Sequence, residues 1–208
     1  MVIISVGDIM IYIIVLSLIS YLIGSINTAV IFSKKLYNSD IRNLGSGNAG
    51  ATNIFRTFGK KAGAVVFFLD FSKGLIAVAA AKCFVLMLDA PYECIFFSGF
   101  FAQLGHTFPV FFRFRGGKGV ATAAGAALGI MPFAALLLFA VFSVVVLLSR
   151  TVSLASALCA VLYPLLAYFL YGKNEEMFFA YAAACSVMIA VKHIPNIIRI
   201  LDGNENKI

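Results

Sequence analysis

The sequence predicts an all-α fold: a polytopic membrane helix bundle of seven transmembrane helices, one of them short. The N-terminus lies outside and the C-terminus inside, and residues 1–208 form a single integral membrane domain. Three observations carry this expectation. Of 208 residues, 62% are hydrophobic and 12% charged, against about 45–50% and about 25% in soluble domains. Apolar stretches long enough to cross a bilayer recur along the chain. The cations fall on one side when the loops are assigned alternately. This composition excludes a soluble globular enzyme, a disordered tail and a coiled coil.

A spanning helix needs about 20 mostly apolar residues. The first stretch runs from Ile9 to Phe32. No basic segment precedes it, so it reads as a retained span rather than a cleaved signal peptide. Further stretches cover 62–88, 92–112, 120–148, 152–171 and 178–191. The stretch 120–148 is too long for one ordinary helix and contains Gly129-Ile130-Met131-Pro132. Proline lacks a backbone donor and clashes with the preceding turn, so a short helix at 119–129 and a second at 132–149 are expected.

Alternate loop assignment then places Lys34, Lys35, Arg42, Arg56, Lys60, Lys61, Arg113, Arg115, Lys118, Arg150, Lys192, Arg199 and Lys207 inside, and only Lys173 outside. Asp8, Asp89, Glu93, Glu175 and Glu176 fall outside. Treating 120–148 as one helix would put Arg150 outside and reverse every later loop. The positive-inside asymmetry favours seven spans. The net charge of +7 is therefore topological, with some attraction to anionic headgroups, and implies no nucleic acid. Cys83, Cys94, Cys159 and Cys185 are scattered singly, which fits neither a disulfide framework nor a metal site.

The inner connections share one chemistry. The first holds Gly45-Ser46-Gly47-Asn48-Ala49-Gly50-Ala51-Thr52-Asn53 and then Arg56. The second holds His106, then Arg113-Phe114-Arg115-Gly116-Gly117-Lys118-Gly119 and Thr122. The third runs from Arg150 through Ser153 to Ser156, and the fourth from His193 through Asn196 and Arg199 to Glu205. Small residues with hydroxyls, amides and cations suit a multiply charged oxyanion: glycines let backbone N–H groups approach and arginine offers a bidentate fork. Gly117-Lys118-Gly119 also leads into a helix N-terminus, which attracts phosphate. Two such elements suggest two phosphate groups or one doubly anionic substrate; the bland alternative is helix caps flanked by topological cations.

Other matches fail on context. Gly45-Ser46-Gly47-Asn48-Ala49-Gly50 fits G-x-G-x-x-G, but a membrane helix rather than a strand precedes it. Gly117-Lys118 lacks the first glycine and the Ser/Thr of a Walker A loop. His-x4-Asp is absent, since Phe111 and Ile198 stand at the acidic position. No acidic cluster for a divalent cation is present. No cofactor and no metal are expected. Asp70 and Lys73 share one helix face and read as a structural ion pair. Lys82 has no local partner. His106 is as consistent with a capping residue as with a ligand, and His193 stands beside Asn196 and Arg199 at the inner end of the last span.

These residues resemble a known family, the bacterial acyl-phosphate:glycerol-3-phosphate acyltransferases. The likeness rests on Gly45-Ser46-Gly47-Asn48-x-Gly50-Ala51-Thr52-Asn53-x-x-Arg56, on Asp70-x-x-Lys73-Gly74, and on His106-x-Phe108-Pro109 followed by Phe114-x-Gly116-Gly117-Lys118-Gly119-Val120-Ala121-Thr122. Ser153-Leu154-x-Ser156 and His193-x-x-Asn196-Ile197-x-Arg199 with Gly203-x-Glu205 complete it. Ile194 and Asn204 depart from the usual pattern. The resemblance implies seven spans with the motifs on the cytoplasmic side of the cell membrane. It implies transfer of a fatty acyl group from acyl phosphate to the 1-hydroxyl of sn-glycerol 3-phosphate, giving lysophosphatidic acid and phosphate, the first acylation step of phospholipid synthesis.

Such a donor is already activated, so the enzyme positions its substrates, neutralises charge and handles one proton. Ser46, Thr52, Asn53 and Arg56 are expected at the acyl-phosphate group, with Gly45, Gly47 and Asn48 in the same loop. Lys118, with Ser153 or Ser156, would meet the glycerol 3-phosphate end, and His106, Gly116, Gly117, Gly119, Thr122, Arg199 and Glu205 are further expected substrate-binding residues. Ser46, Arg56, Lys118, His193 and Asn196 are the expected catalytic residues. His193 and Asn196 would orient or deprotonate the hydroxyl, unless the donor phosphate is the base. Expected partners are the two substrates and membrane lipid, with no obligate protein. The competing classes are an anion or phosphate-ester transporter, a non-catalytic lipid-binding subunit, and an acyltransferase using acyl-CoA. A transporter predicts polar features on both faces, and the short acidic outer loops lack them.

Overall fold

In the computed structural model the described residues are 6–172 and 176–208. Lys173 and Glu175, assigned above to the outer side, and the Asp8 side chain lie outside that description. Among the described residues nine α-helices follow one another: α1 Val6–Gly24, α2 Thr28–Tyr37, α3 Ala51–Phe58, α4 Lys60–Leu88, α5 Glu93–Thr107, α6 Val120–Ile130, α7 Pro132–Ser149, α8 Val152–Tyr171 and α9 Glu176–Leu201. Six segments are long and apolar enough to cross a membrane, and α6 is a shorter apolar helix. The all-helical membrane architecture is thus as expected, with six candidate spans plus one short helix.

The break before Pro132 falls where the sequence places it. Proline occupies the first turn of α7, where its missing N–H would have had no partner anyway. Two other boundaries differ from expectation. The stretch 9–32 is not one helix: it opens at residues 25–27 into α1 and α2. Asn27 caps α2, its side chain accepting from the Val30 N–H at 3.1 Å. The carbonyls freed at the break, Gly24 and Ile26, accept from Lys73 Nζ at 3.3 and 2.8 Å. The second difference is the last span, which continues as helix to Leu201, so that His193–Arg199 is helix rather than loop. Its spacing explains this: His193 and Asn196 are buried on one face, while Ile194, Ile197 and Ile198 are exposed on the other.

Small residues bring the helices together. A Cβ on Gly24 would lie 2.1 Å from the Ala102 carbonyl oxygen, and one on Gly105 2.1 Å from that of Tyr21, so α1 and α5 pack backbone to backbone. Gly74 and Gly125 do the same for α4 and α6, with virtual Cβ atoms 2.0 and 1.9 Å from the Thr122 and Phe71 carbonyl oxygens. Lipid does not drive helices together hydrophobically, so close approach of small residues is the usual solution. The large apolar side chains point outward instead, as at Leu86, Leu148 and Phe133.

Buried polarity is concentrated where α1, α2, α4 and α5 meet. Asp70 and Lys73 pair at 2.7 Å, one turn apart. Thr28 donates to Asp70 at 2.5 Å, and His106 Nδ1 lies 3.3 Å from Lys73 Nζ and 3.4 Å from Asp70. His106 thus faces both members of the pair through one ring nitrogen. The pair steadies the helix break, as a structural ion pair would.

Candidate functional site

One cavity of about 350 Å³ collects most of the polar residues singled out above. The loop Leu44–Gly50 and the first turns of α3 supply Ser46, Gly47, Asn48, Thr52, Asn53 and Arg56. The start of α6 supplies Lys118 and Gly119, α8 supplies Ser153 and Ser156, α5 supplies His106, and α9 and the chain after it supply His193, Asn196, Arg199 and Glu205. Elements far apart in sequence therefore converge on one volume.

Asn53 builds one wall. Its amide donates to the carbonyls of Ile41, Leu44 and Asn48 at 3.2, 2.9 and 3.1 Å, and its oxygen accepts from the Ser46 N–H at 2.9 Å. Both amide protons and the oxygen are engaged by the loop, and Asn53 also lines the cavity. Gly45 is in the left-handed region, φ 56°, and a Cβ there would lie 2.3 Å from Asn53 Oδ1. Gly116 and Gly117 lie behind the cavity rather than in its lining: their virtual Cβ atoms would fall 2.0 Å from the His106 carbonyl oxygen and 2.2 Å from His106 Nε2. Thr122 is fully buried and also outside the lining.

A second wall is a hydrogen-bonded chain. Lys118 donates to Asn196 Oδ1. Asn196 donates to Glu205 at 2.7 Å, Ser153 donates to the same carboxylate oxygen at 2.8 Å, and Arg199 donates to the other at 2.8 Å. The Glu205 side chain is 4% exposed. Burial alone would raise its carboxyl pKa, but the bonds from Asn196, Ser153 and Arg199 outweigh this and hold it below the ordinary value. Burial pushes Lys118 down to about 8; Glu205 opposes the shift, and Arg199 and Arg56 add to it. Arg56 donates one terminal N–H to the Asn206 carbonyl at 2.6 Å, while its buried Nε has no hydrogen-bond partner among the described residues. An unpartnered guanidinium N–H in a cavity that also holds Lys118 and Arg199 suits an oxyanion.

His193 is 2% exposed, and its Nδ1 donates to the Ile189 carbonyl at 2.8 Å. That bond fixes the tautomer and leaves the Nε2 lone pair free to accept a proton. Sequence reasoning missed Lys192, Phe67, Phe142 and Pro195 in the lining, and counted Lys192 only as a topological charge. Lys192 sits over the Phe108 ring, 4.4 Å from its centroid. The signal for it was its position one residue before His193 on a helix whose polar face enters the site.

The apolar side of the cavity continues into a groove of about 110 Å³ lined by Ala124, Ala127, Leu138, Phe139, Ala160 and Tyr163 among others. Phe67, Val120, Ala121, Phe142 and Ser156 line both. The site is thus amphipathic, cationic at one end and apolar at the other.

The profile of the family described as "Glycerol-3-phosphate acyltransferase" matches residues 14–203. A glycerol-3-phosphate acyltransferase of Staphylococcus haemolyticus is 40% identical over 203 residues, covering 94% of this chain and 98% of that protein. One of Staphylococcus carnosus is 38% identical with the same coverage. The crystal structure of PlsY (YgiH), an integral membrane glycerol 3-phosphate acyltransferase, resembles this fold in two forms. The glycerol 3-phosphate form gives a TM-score of 0.85 at 40% identity, over 94% of this chain and 95% of that one. The lysophosphatidic acid form gives 0.82 at 38% identity, over 94% of each. Sequence profile, full-length relatives and fold agree: this chain belongs to the glycerol-3-phosphate acyltransferase family.

Proposed function

We propose that this acyltransferase uses acyl phosphate as its donor and acylates the 1-hydroxyl of sn-glycerol 3-phosphate, releasing lysophosphatidic acid and inorganic phosphate. The observation that carries the reading is the joining of the cationic cavity to the apolar groove through five shared residues. Two anionic groups and one acyl chain need such a combination. Arg56, with Ser46 and Thr52, receives the acyl-phosphate group, while Lys118 and Ser153 or Ser156 receive the glycerol 3-phosphate end. The hydroxyl oxygen bonds to the acyl carbon as the acyl C–O bond to phosphate breaks. The hydroxyl proton passes to His193 Nε2 or to the departing phosphate. Asn53 holds the loop, and Glu205 aligns Asn196, Arg199 and Ser153. The acyl chain lies along α6 and α8.

The whole chain acts as one membrane domain, with its N-terminus outside and its site on the cytoplasmic side of the cell membrane, and needs no protein partner. The test uses purified protein in detergent with palmitoyl phosphate and glycerol 3-phosphate, following phosphate release and lysophosphatidic acid by mass spectrometry. Product from acyl phosphate but not from palmitoyl-CoA, lost in Lys118→Ala, is expected. Product from palmitoyl-CoA alone would overturn the donor assignment.

A further inference from the structure

Between α5 and α6 the chain makes a tight excursion over Val110–Arg115. Val110–Phe112 is a single 3-10 turn. Arg113 and Phe114 then stand in succession in the left-handed region, at φ 57° and 58°. For a bulky aromatic residue that conformation is an outlier, and such backbone persists only where its surroundings impose it. The imposition is visible. The N–H groups of Phe112 and Phe114 donate to the Pro109 carbonyl at 3.1 and 2.9 Å, and Arg42 donates to the Phe112 carbonyl at 3.2 Å.

Of the rings in this strained turn, Phe112 packs against the core, but Phe111 and Phe114 do not. Phe114 is 57% exposed and Phe111 61%. Arg113 and Arg115 alternate with them, are exposed, and form no ion pair among the described residues. In water the turn would expose aromatic surface with no return. It lies, however, at the end of a membrane span, on the face of the bundle that carries the cavity.

We propose that Val110–Arg115 is an interfacial anchor that binds an anionic phospholipid of the surrounding bilayer. Phe111 and Phe114 sit at the boundary of headgroups and acyl chains, where apolar rings of interfacial segments are buried. Arg113 and Arg115 take the headgroup phosphate, for which the guanidinium fork is suited. The occupant is argued from charge complementarity: both polar side chains are cationic, and basic groups beside a span attract anionic lipid. The next residues are Gly116, Gly117 and Lys118, so the bound lipid also steadies the start of α6. This assignment is independent of the acyl donor.

The chain contains no tryptophan, so Phe114→Trp introduces a single local reporter and Phe111→Trp a second, should the first fail to fold. Each is reconstituted in phosphatidylcholine vesicles containing phosphatidylglycerol, with bromine on the acyl chains of one lipid at a time. Blue-shifted emission, quenched by brominated phosphatidylglycerol well out of proportion to its mole fraction, is expected. At roughly fivefold per arginine, the local preference is roughly twenty-five-fold, and it falls to parity when Arg113→Gln and Arg115→Gln are added. Emission typical of water would overturn the anchor. A preference that survives the double arginine change, or that free phosphate abolishes as readily as lipid does, would overturn the headgroup site.

Discussion

Replacing Asn53 by alanine decides whether this side chain serves the loop or the substrate. The carboxamide is 1% exposed; its two N–H groups reach three carbonyls, one N–H being shared, and its oxygen accepts from the Ser46 N–H. A net bond of this kind contributes about 0.5–1.5 kcal/mol, so losing three such bonds costs about 1.5–4.5 kcal/mol. For a chain of this size each kcal/mol moves Tm by about 2–4 °C, so a fall of at least about 3 °C is expected. It is measured in detergent with a thiol-reactive fluorophore that reports exposure of the buried Cys94 and Cys185. Turnover falls as well, because Ser46 and Asn48 lose their backbone positions. Asn53→Asp is the sharper control. It keeps an acceptor for the Ser46 N–H but sets carboxylate oxygen against the carbonyls of Ile41, Leu44 and Asn48, and should be no more stable than the alanine variant. An alanine variant that unfolds at the wild-type temperature, with a tenfold higher KM for glycerol 3-phosphate, would refute the reasoning and make Asn53 a ligand contact.

Three further outcomes are expected. Lys118 titrates near pH 8 in the free protein, so kcat/KM falls about tenfold per pH unit above that value as the ammonium is lost. Its contribution to stability runs the other way: between about pH 8 and the ordinary lysine pKa the unfolded chain holds the extra proton, and stability from this group rises with pH. Parallel pH profiles of rate and Tm check both signs. Asp70→Asn leaves Lys73 buried without its carboxylate, at a cost of about 3–5 kcal/mol, and adding Lys73→Met recovers part of it, as thermal unfolding of both variants would read. Gly125→Ala sets a Cβ 1.9 Å from the Phe71 carbonyl oxygen and must part α4 from α6; overpacking costs about 1–3 kcal/mol or more, and an unchanged Tm would contradict the backbone contact.

The membrane architecture was legible because its signals are local. Pro132 ends α6 through its own missing donor, and each apolar stretch declares its own length. The opening of the first span was not legible, because the group that compensates it is Lys73, 47 positions from Ile26. The helical course of His193–Arg199 was available as i, i+3 spacing of polar residues, but polarity near a span end reads more readily as loop. The cavity gathers Ser46, Arg56, Lys118, Ser153, His193 and Asn196 because residue types suited to an oxyanion mark themselves. Gly45, Gly116 and Gly117 carry the same mark for a different cause: they leave room for Asn53 and His106, and only the packed structure distinguishes room for a neighbour from room for a ligand.

The unequal lengths of α6 and α7 have a consequence for how two immiscible reactants meet. The helices are joined by Met131 alone and run back beside each other, over 11 and 18 residues. At 1.5 Å per residue their far ends differ in level by about 11 Å. With α6 too short to cross a bilayer, such a step would leave a notch at that end of the bundle, where Lys118 lines the cavity and the groove beside α6 and α8 adjoins it. A hydrophilic alcohol can descend into the notch from the aqueous phase while a lipid-borne acyl group slides in from the hydrocarbon. On the proposed reaction neither reactant has to cross a phase boundary to reach the other, and the chain would act as a fixed phase-transfer catalyst.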